Sequence, residues 1–334
     1  MVELAVEASN ISKVFKGNVR ALDGLSIQVE AGKIFAMLGP NGSGKTTLMR
    51  ILTTQFKATS GRAYVFGLDV IREGKRIREM ISYVPQEMSV WTDITGYENM
   101  LVFSKIYGIP SSQRKKMIDD ALEEMNLTEF ANKVVKIYSG GMIRRLEIAS
   151  ALLIKPRLLF LDEPTIGLDP AARKAVWDKV LAFKKEVGMT VFFNTHYMDE
   201  ADAYADQITI ISKGKEVANG EPDALKASVG AEIITVTIAC PEPGARVVGS
   251  LKGLDGVSDV VVNEGTINIH VKAADRAIPG VIEILRSNDV VINKISTNKP
   301  SLDDVFLKYA GTRLESTTSI KDIKQTRKRI GGGG

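Results

Sequence analysis

A single cysteine, Cys240, occurs among 334 residues. One thiol excludes an internal disulfide and fits a reducing compartment. Long hydrophobic runs are missing too. Apolar stretches such as Ile34–Leu38 and Leu158–Leu161 fall far short of the roughly 20 residues that a membrane-spanning helix requires. The start of the chain shows no signal-peptide pattern, so an intracellular protein is expected, with any membrane attachment supplied by something else. An excess of charge of one sign is absent from the body of the chain. The net charge is +4, and Arg313–Ile330 alone holds six Lys/Arg against two Asp/Glu. The remainder is neutral overall, whereas a nucleic-acid-binding domain carries a basic face, so nucleic acid is not the expected partner. With 44% hydrophobic and 25% charged residues, the composition is that of a globular protein, long enough for two domains.

What is present centres on Gly39-Pro40-Asn41-Gly42-Ser43-Gly44-Lys45-Thr46, which fits G-x-x-x-x-G-K-[ST] at every fixed position. Lys33–Leu38 before it reads as a buried strand, and Thr47–Leu52 after it as the first turns of a helix. Strand, glycine loop and helix together make a phosphate-binding loop. Glycines let the backbone approach an anion, and the helix N-terminus adds positive partial charge. Lys45 should reach the β- and γ-phosphates, and the Thr46 hydroxyl should coordinate Mg²⁺. A second signal is Arg157–Pro164, a four-residue apolar run ending in Asp162 and Glu163. It reads as a buried parallel strand whose carboxylates reach the sheet edge where ligands collect. Asp162 is suited to hold Mg²⁺ through water, and Glu163 to polarise an attacking water.

The remaining signals are weaker singly. Residues Val2–Val29 alternate apolar and polar side chains around the turn Gly17-Asn18, predicting an antiparallel strand pair. Phe15 ends its first strand, where an aromatic could stack on a purine. Ile81–Gln86 is a strand stopped by Pro85, with Gln86 at its end. The stretch from about Glu87 to Leu153 reads as wholly helical, with a capping box at Thr95-Gly96-Tyr97-Glu98. Ser139-Gly140-Gly141 precedes a helix and makes a second potential anion site, although it also reads simply as a cap and turn. Asp169-Pro170 opens the next helix. Thr190–Thr195 is a strand, with His196 just past its end. From about Ala231 the order is strand, helix, two strands, helix, strand, which suggests a ferredoxin-like unit. Its second hairpin strand, Thr266–Val271, places His270 on the polar alternation, and His270 is expected to be exposed and inert. Pro300–Leu307 caps and starts a final helix. The end, residues 312–334, is polar, basic and terminated by four glycines, so disorder is expected there.

Taken together, residues 1 to about 225 resemble an ABC-type ATPase, the nucleotide-binding subunit of an ABC transporter. Gly39–Thr46 resembles Walker A, and Leu159–Asp162 with Glu163 resembles Walker B and its catalytic glutamate. Gln86 falls at the Q-loop, Ser139-Gly140-Gly141 at the signature, Asp169 at the D-loop, His196 at the H-loop, and Phe15 at the adenine-stacking position. Tyr138 and Met142 replace the usual ends of the Leu-Ser-Gly-Gly-Gln signature. The Pro300–Leu307 segment resembles the end of drug- and lipid-exporter ATPases, the daunorubicin-resistance-like group.

The resemblance implies an α/β P-loop NTPase with a mixed sheet core, an antiparallel β subdomain and a helical subdomain (about 87–153). A C-terminal α+β ferredoxin-like domain (226–311) and a tail (312–334) would follow. It implies ATP and Mg²⁺ as cofactors. Gly39, Pro40, Asn41, Gly42, Ser43, Gly44, Lys45, Thr46 and Thr47 would hold nucleotide, as would Phe15 and Asp169. Thr46, Gln86 and Asp162 would hold the metal, and Glu163, His196 and Gln86 would act in hydrolysis. A head-to-tail homodimer would place Ser139-Gly140-Gly141 of one subunit on ATP held by the other. A separate transmembrane permease subunit would locate the protein in the cytoplasm, peripheral on the inner face of the cell membrane. A soluble ABC-type ATPase of repair, translation or cofactor assembly is the alternative. The absence of a second cassette and of a long heptad insertion argues against it.

Overall fold

The computed structural model describes residues 3–229, 232–239, 243–263 and 265–310. Cys240, the turn residue Glu264 and the basic tail lie outside them. The chain divides into two compact units, one running to Asn219 and one starting at Gly220.

The first unit opens with two long strands, β1 (Leu4–Phe15) and β2 (Val19–Glu30). They pair antiparallel across a turn in which Gly17 and Asn18 both take positive φ. Next come β3 (Ile34–Leu38), α1 (Lys45–Leu52), β4 (Ser60–Val65), β5 (Leu68–Asp69), α2 (Gly74–Arg78) and β6 (Ile81–Val84). Three helices follow, α3 (Gly96–Ile106), α4 (Ser111–Glu124) and α5 (Gly140–Leu152). The unit closes with β7 (Leu158–Asp162), α6 (Pro170–Val187), β8 (Thr190–Thr195), α7 (Met198–Tyr204), β9 (Gln207–Ser212) and β10 (Lys215–Gly220).

Two sheets result. One is antiparallel, in the order β2-β1-β4-β5. The other has the order β10-β9-β3-β8-β7-β6, and the pairs from β9 through β6 are parallel. β3, β7 and β8 are buried at every position, as expected for central parallel strands covered on both faces. Phe192 packs between Phe35 and Phe160, with ring centroids 4.8 and 5.4 Å apart. Parallel register brings Leu38 beside Thr195 and Asp162 beside Asn194. The loops leaving these strands therefore emerge at one edge, the position where open α/β sheets bind ligands.

The stretch expected to be helical throughout is interrupted. Residues 87–94 are irregular, and 128–137 contain only two short 3₁₀ turns. The backbone there pairs between segments instead: Val135 donates to Ile94, Lys136 to Thr92 and Tyr97 to Ala131. The capping box of α3 forms as expected, with Thr95 Oγ1 accepting from the Glu98 amide and the Glu98 carboxylate accepting from the Thr95 amide.

The second unit comprises α8 (Pro222–Val229), β11 (Glu232–Ile238), α9 (Ala245–Lys252), β12 (Val257–Asn263), β13 (Thr266–Val271), α10 (Ala274–Ser287), β14 (Ile292–Asn298) and α11 (Leu302–Ala310). Its sheet is antiparallel, in the order β12-β13-β11-β14. The last strand begins two residues later than the expected Val290, because the Val290 amide closes the end of α10 on the Leu285 carbonyl at 3.0 Å. Isoleucines and valines of the sheet, with apolar residues of α9 and α10, form its own core.

His270 corrects an expectation. It is 3% exposed, not solvated. Its face of β13 is covered by α8 and α11, so that its ring bonds the Val229 backbone and feels Asp304 and Lys308. His270 does lie on the face of β13 opposite Ile267 and Ile269 of the core, but helices α8 and α11 cover that face.

Candidate nucleotide site

The glycine loop leaves β3 and enters α1 with Gly44 at φ +107°. A Cβ at Gly44 would lie 2.5 Å from the Ala21 carbonyl oxygen, and one at Gly39 would lie 2.4 Å from the Ile211 carbonyl oxygen. Glycine is therefore required at both places by close backbone approach. Lys45 is buried, and its ammonium donates to the loop carbonyls of Gly39 (2.7 Å) and Pro40 (3.3 Å). Burial lowers its pKa, opposed by the carboxylates of Glu163 and Asp162. Thr46 Oγ1 donates to Asp162 Oδ1 at 3.1 Å, and Tyr83 donates its phenol proton to Asp162 Oδ2 at the same distance. Burial raises the Tyr83 pKa, so it remains the donor.

Glu163 follows β7 and is 4% exposed. It takes φ +50°, which is unusual for a residue with a side chain. Its amide donates to both the main-chain (3.1 Å) and side-chain (2.8 Å) oxygens of Asn194. One carboxylate oxygen lies 3.7 Å from Lys45 Nζ, and the other 2.8 Å from His196 Nδ1. A carboxylate accepts, so Nδ1–H donates and the tautomer of His196 is fixed.

Of the residues singled out in the sequence, Lys45, Thr46, Asp162, Glu163 and His196 thus meet directly. Gln86 is exposed in the loop after β6. Phe15 is 37% exposed, edge-on to Phe56 at 5.8 Å, with the Lys13 ammonium 5.0 Å from its ring centroid. Ser139 caps α5 by accepting from the Met142 amide, and Asp169 caps α6 by accepting from the Ala172 amide. Among the described residues, no hydrogen bond joins Ser139, Gly140, Gly141 or Asp169 to the buried cluster.

Sequence reasoning missed Tyr83, Asn194, Arg144 and Glu147. The last two carry a legible signal, since an arginine and a glutamate three apart stand at the start of a mostly apolar helical stretch, Arg144 just before Leu146–Leu153 and Glu147 inside it.

The arrangement suits a magnesium nucleotide. The Ser43 hydroxyl is buried without a hydrogen-bond partner, Lys45 satisfies itself on its own loop, and a hydroxyl and a carboxylate converge at Thr46 and Asp162. One hydroxyl and one carboxylate are the sparse donor set of a Mg²⁺ that takes its other ligands from phosphate and water.

Comparison with known proteins agrees. The family profile described as ABC transporter matches residues 22–166, and that of the DrrA1-3-like ATP-binding protein C-terminal domain matches 220–310. The chain is 39% identical to the daunorubicin resistance ATP-binding protein DrrA2 of Streptomyces coeruleorubidus, over 94% of this chain and 97% of that protein. It is 32% identical to the linearmycin resistance ATP-binding protein LnrL of Bacillus subtilis, over 92% and 99%. It is 33% identical to the Nod factor export ATP-binding protein I of a Rhizobium species, over 94% and 100%. Among solved structures, it resembles cbiO1 of Clostridium perfringens, part of an ABC transporter complex. That match has a TM-score of 0.63 and 26% identity, and covers 67% of this chain and 91% of that one. It also resembles an ATP-binding cassette solved as a dimer bound to ADP and phosphate, with a TM-score of 0.59 and 26% identity over 65% and 98%. The chain therefore belongs to the ABC transporter family, as an ATP-binding and ATP-hydrolysing subunit of the daunorubicin-resistance type.

Proposed function

We propose that the chain drives export through a separate transmembrane permease, with Glu163 as the group that activates water. The observation that carries this reading is the buried contact of Glu163 with Lys45 on one oxygen and His196 on the other. Bound MgATP supplies the γ-phosphoryl group and a divalent charge that neutralises it. Lys45 exchanges its loop carbonyls for phosphate oxygens. Thr46 and Asp162 would hold the metal, and Gln86 would contribute to holding it, where it would neutralise phosphate charge. Glu163 accepts the proton of the attacking water, and His196 holds the carboxylate in orientation. Phe15 offers an aromatic face to the base.

One face of the nucleotide needs donors that a single chain lacks. Ser139, Gly140, Gly141 and Asp169 of a second copy fill that place in a head-to-tail dimer. The likeness to a dimeric cassette supports this. Among the described residues no helix is long and apolar enough to cross a membrane, and in this reading the transmembrane path belongs to a separate permease, with this chain on its cytoplasmic face. Resistance or export in the names of the relatives supports export over import. The ferredoxin-like unit serves as an accessory domain.

The test is Glu163→Gln in the full chain with MgATP. Turnover is expected to fall at least about 100-fold, the scale of a lost general base, with ATP affinity nearly unchanged. Undiminished hydrolysis removes Glu163 from this role.

A further inference from the structure

Arg144 lies on α5, five residues after Ser139, and is 7% exposed. A guanidinium has five N–H donors in a rigid plane. Here all of them are used. Nε donates to the Pro164 carbonyl (2.7 Å). Nη1 donates to the Pro85 carbonyl (2.8 Å) and to the Glu147 carboxylate (3.0 Å). Nη2 donates to the carbonyls of Asp162 (3.0 Å) and Glu163 (3.3 Å). Glu147, itself buried, accepts from both the amide and the hydroxyl of Ser89, at 2.6 and 3.0 Å.

Two loops are therefore tied to one buried ion pair. The first is the exposed run Gln86-Glu87-Met88, which is pinned at Pro85 by Arg144 and at Ser89 by Glu147. The second is the backbone of Asp162, Glu163 and Pro164. Glu163 holds a left-handed conformation there, and such a conformation persists only when its surroundings over-determine it. Asn194 fixes its amide from one side. Arg144 fixes its carbonyl from the other, and does so from a helix that also begins with Ser139.

We propose that Arg144 is a positioning residue that locks the strained backbone of Glu163 to the Gln86 loop, so that the two segments move as one. The inference deepens the proposed function and rests on Glu163 as the water-activating group. Five bonds in one plane need a guanidinium. Lysine has the charge without the fork.

The test uses the full chain carrying Arg144→Lys, which retains a cation beside Glu147. Hydrogen exchange is measured first, without nucleotide, on peptides covering residues 85–90 and 161–168, with 207–212 as a control. Both test segments are expected to exchange at least about tenfold faster together while the control stays unchanged, as local opening confined to one cooperative unit would give. With MgATP, kcat should fall about tenfold or more at a KM within about twofold, as for a group that acts only on the reacting geometry. In a Glu163→Gln background, Arg144→Lys should lower the residual turnover no further, because the two act through one carboxylate. Faster exchange in only one segment, or uniformly including the control, overturns the lock. A raised KM with unchanged kcat also overturns it. If Glu163→Gln alone leaves hydrolysis intact, the reading of Glu163 has failed, and the paired exchange still decides whether Arg144 joins the two loops.

Discussion

At the scale of single residues, the site is governed by backbone room as much as by charge. Gly44 has positive φ and a carbonyl oxygen 2.5 Å from where a Cβ would stand. Gly44→Ala is expected to lower stability by about 1–3 kcal/mol and to abolish tight ATP binding, read by urea denaturation and nucleotide titration. A variant as stable and as tight as the parent would mean the loop relaxes in a way its packing against Ala21 does not suggest. His270 gives the pH prediction. Burial pushes its pKa below 6.5, against Asp259 of β12 and Asp304 of α11, which raise it, while Lys308 lowers it. Nδ1 has no hydrogen-bond partner to receive a proton's bond. The unfolded chain therefore binds more protons than the folded one below about 6.5. Stability of the second unit is complete above that pH and is lost as pH falls toward the folded-state pKa. Exchange of the 266–271 peptide between pH 7.5 and 5 should show this slope after correction for intrinsic rates, and His270→Gln should flatten it. Equal slopes in the two proteins would remove His270 as the cause.

At the scale of elements, caps and sites coincide, so a single substitution can be misread. Ser139 caps α5, and an alanine there costs about 1 kcal/mol by loss of the cap alone. Glycine caps almost as well, within a few tenths of a kcal/mol. Ser139→Gly should leave the melting temperature nearly unchanged while lowering ATP turnover about tenfold or more, if the hydroxyl meets nucleotide across a dimer. Turnover equal to wild type would reduce Ser139 to a cap. The strands that carry Asp162 and lead to His196 depend on a different force. Phe160 is fully buried against Phe192, so Phe160→Ala should cost about 3–5 kcal/mol in denaturant unfolding, with the carboxylate edge displaced as a consequence.

At the scale of the whole molecule, the proposed head-to-tail pairing makes a prediction about mass. With MgATP, the Glu163→Gln protein should run at twice the mass of a single chain by light scattering, and adding Ser139→Gly should return it to a single chain. A Glu163→Gln protein that stays single under saturating ATP would count against the head-to-tail arrangement. Much of this was legible in the chain of letters. The glycine loop, the apolar run before Asp162 and Glu163, and the strand before His196 are local patterns, because close backbone approach, strand burial and helix capping act over a few residues. The sequence by itself therefore determined the nucleotide loop, the class of fold and the carboxylates at the sheet edge. What tertiary structure alone decided depends on contacts between distant segments. It brought His196 to Glu163, 33 residues away, and set Glu163 into a left-handed turn between Asn194 and Arg144. It broke the 87–153 stretch by pairing loop with loop, and it buried His270 under helices that begin and end the second unit. Period and propensity describe a residue's own element, whereas these outcomes follow from what the rest of the chain lays against it.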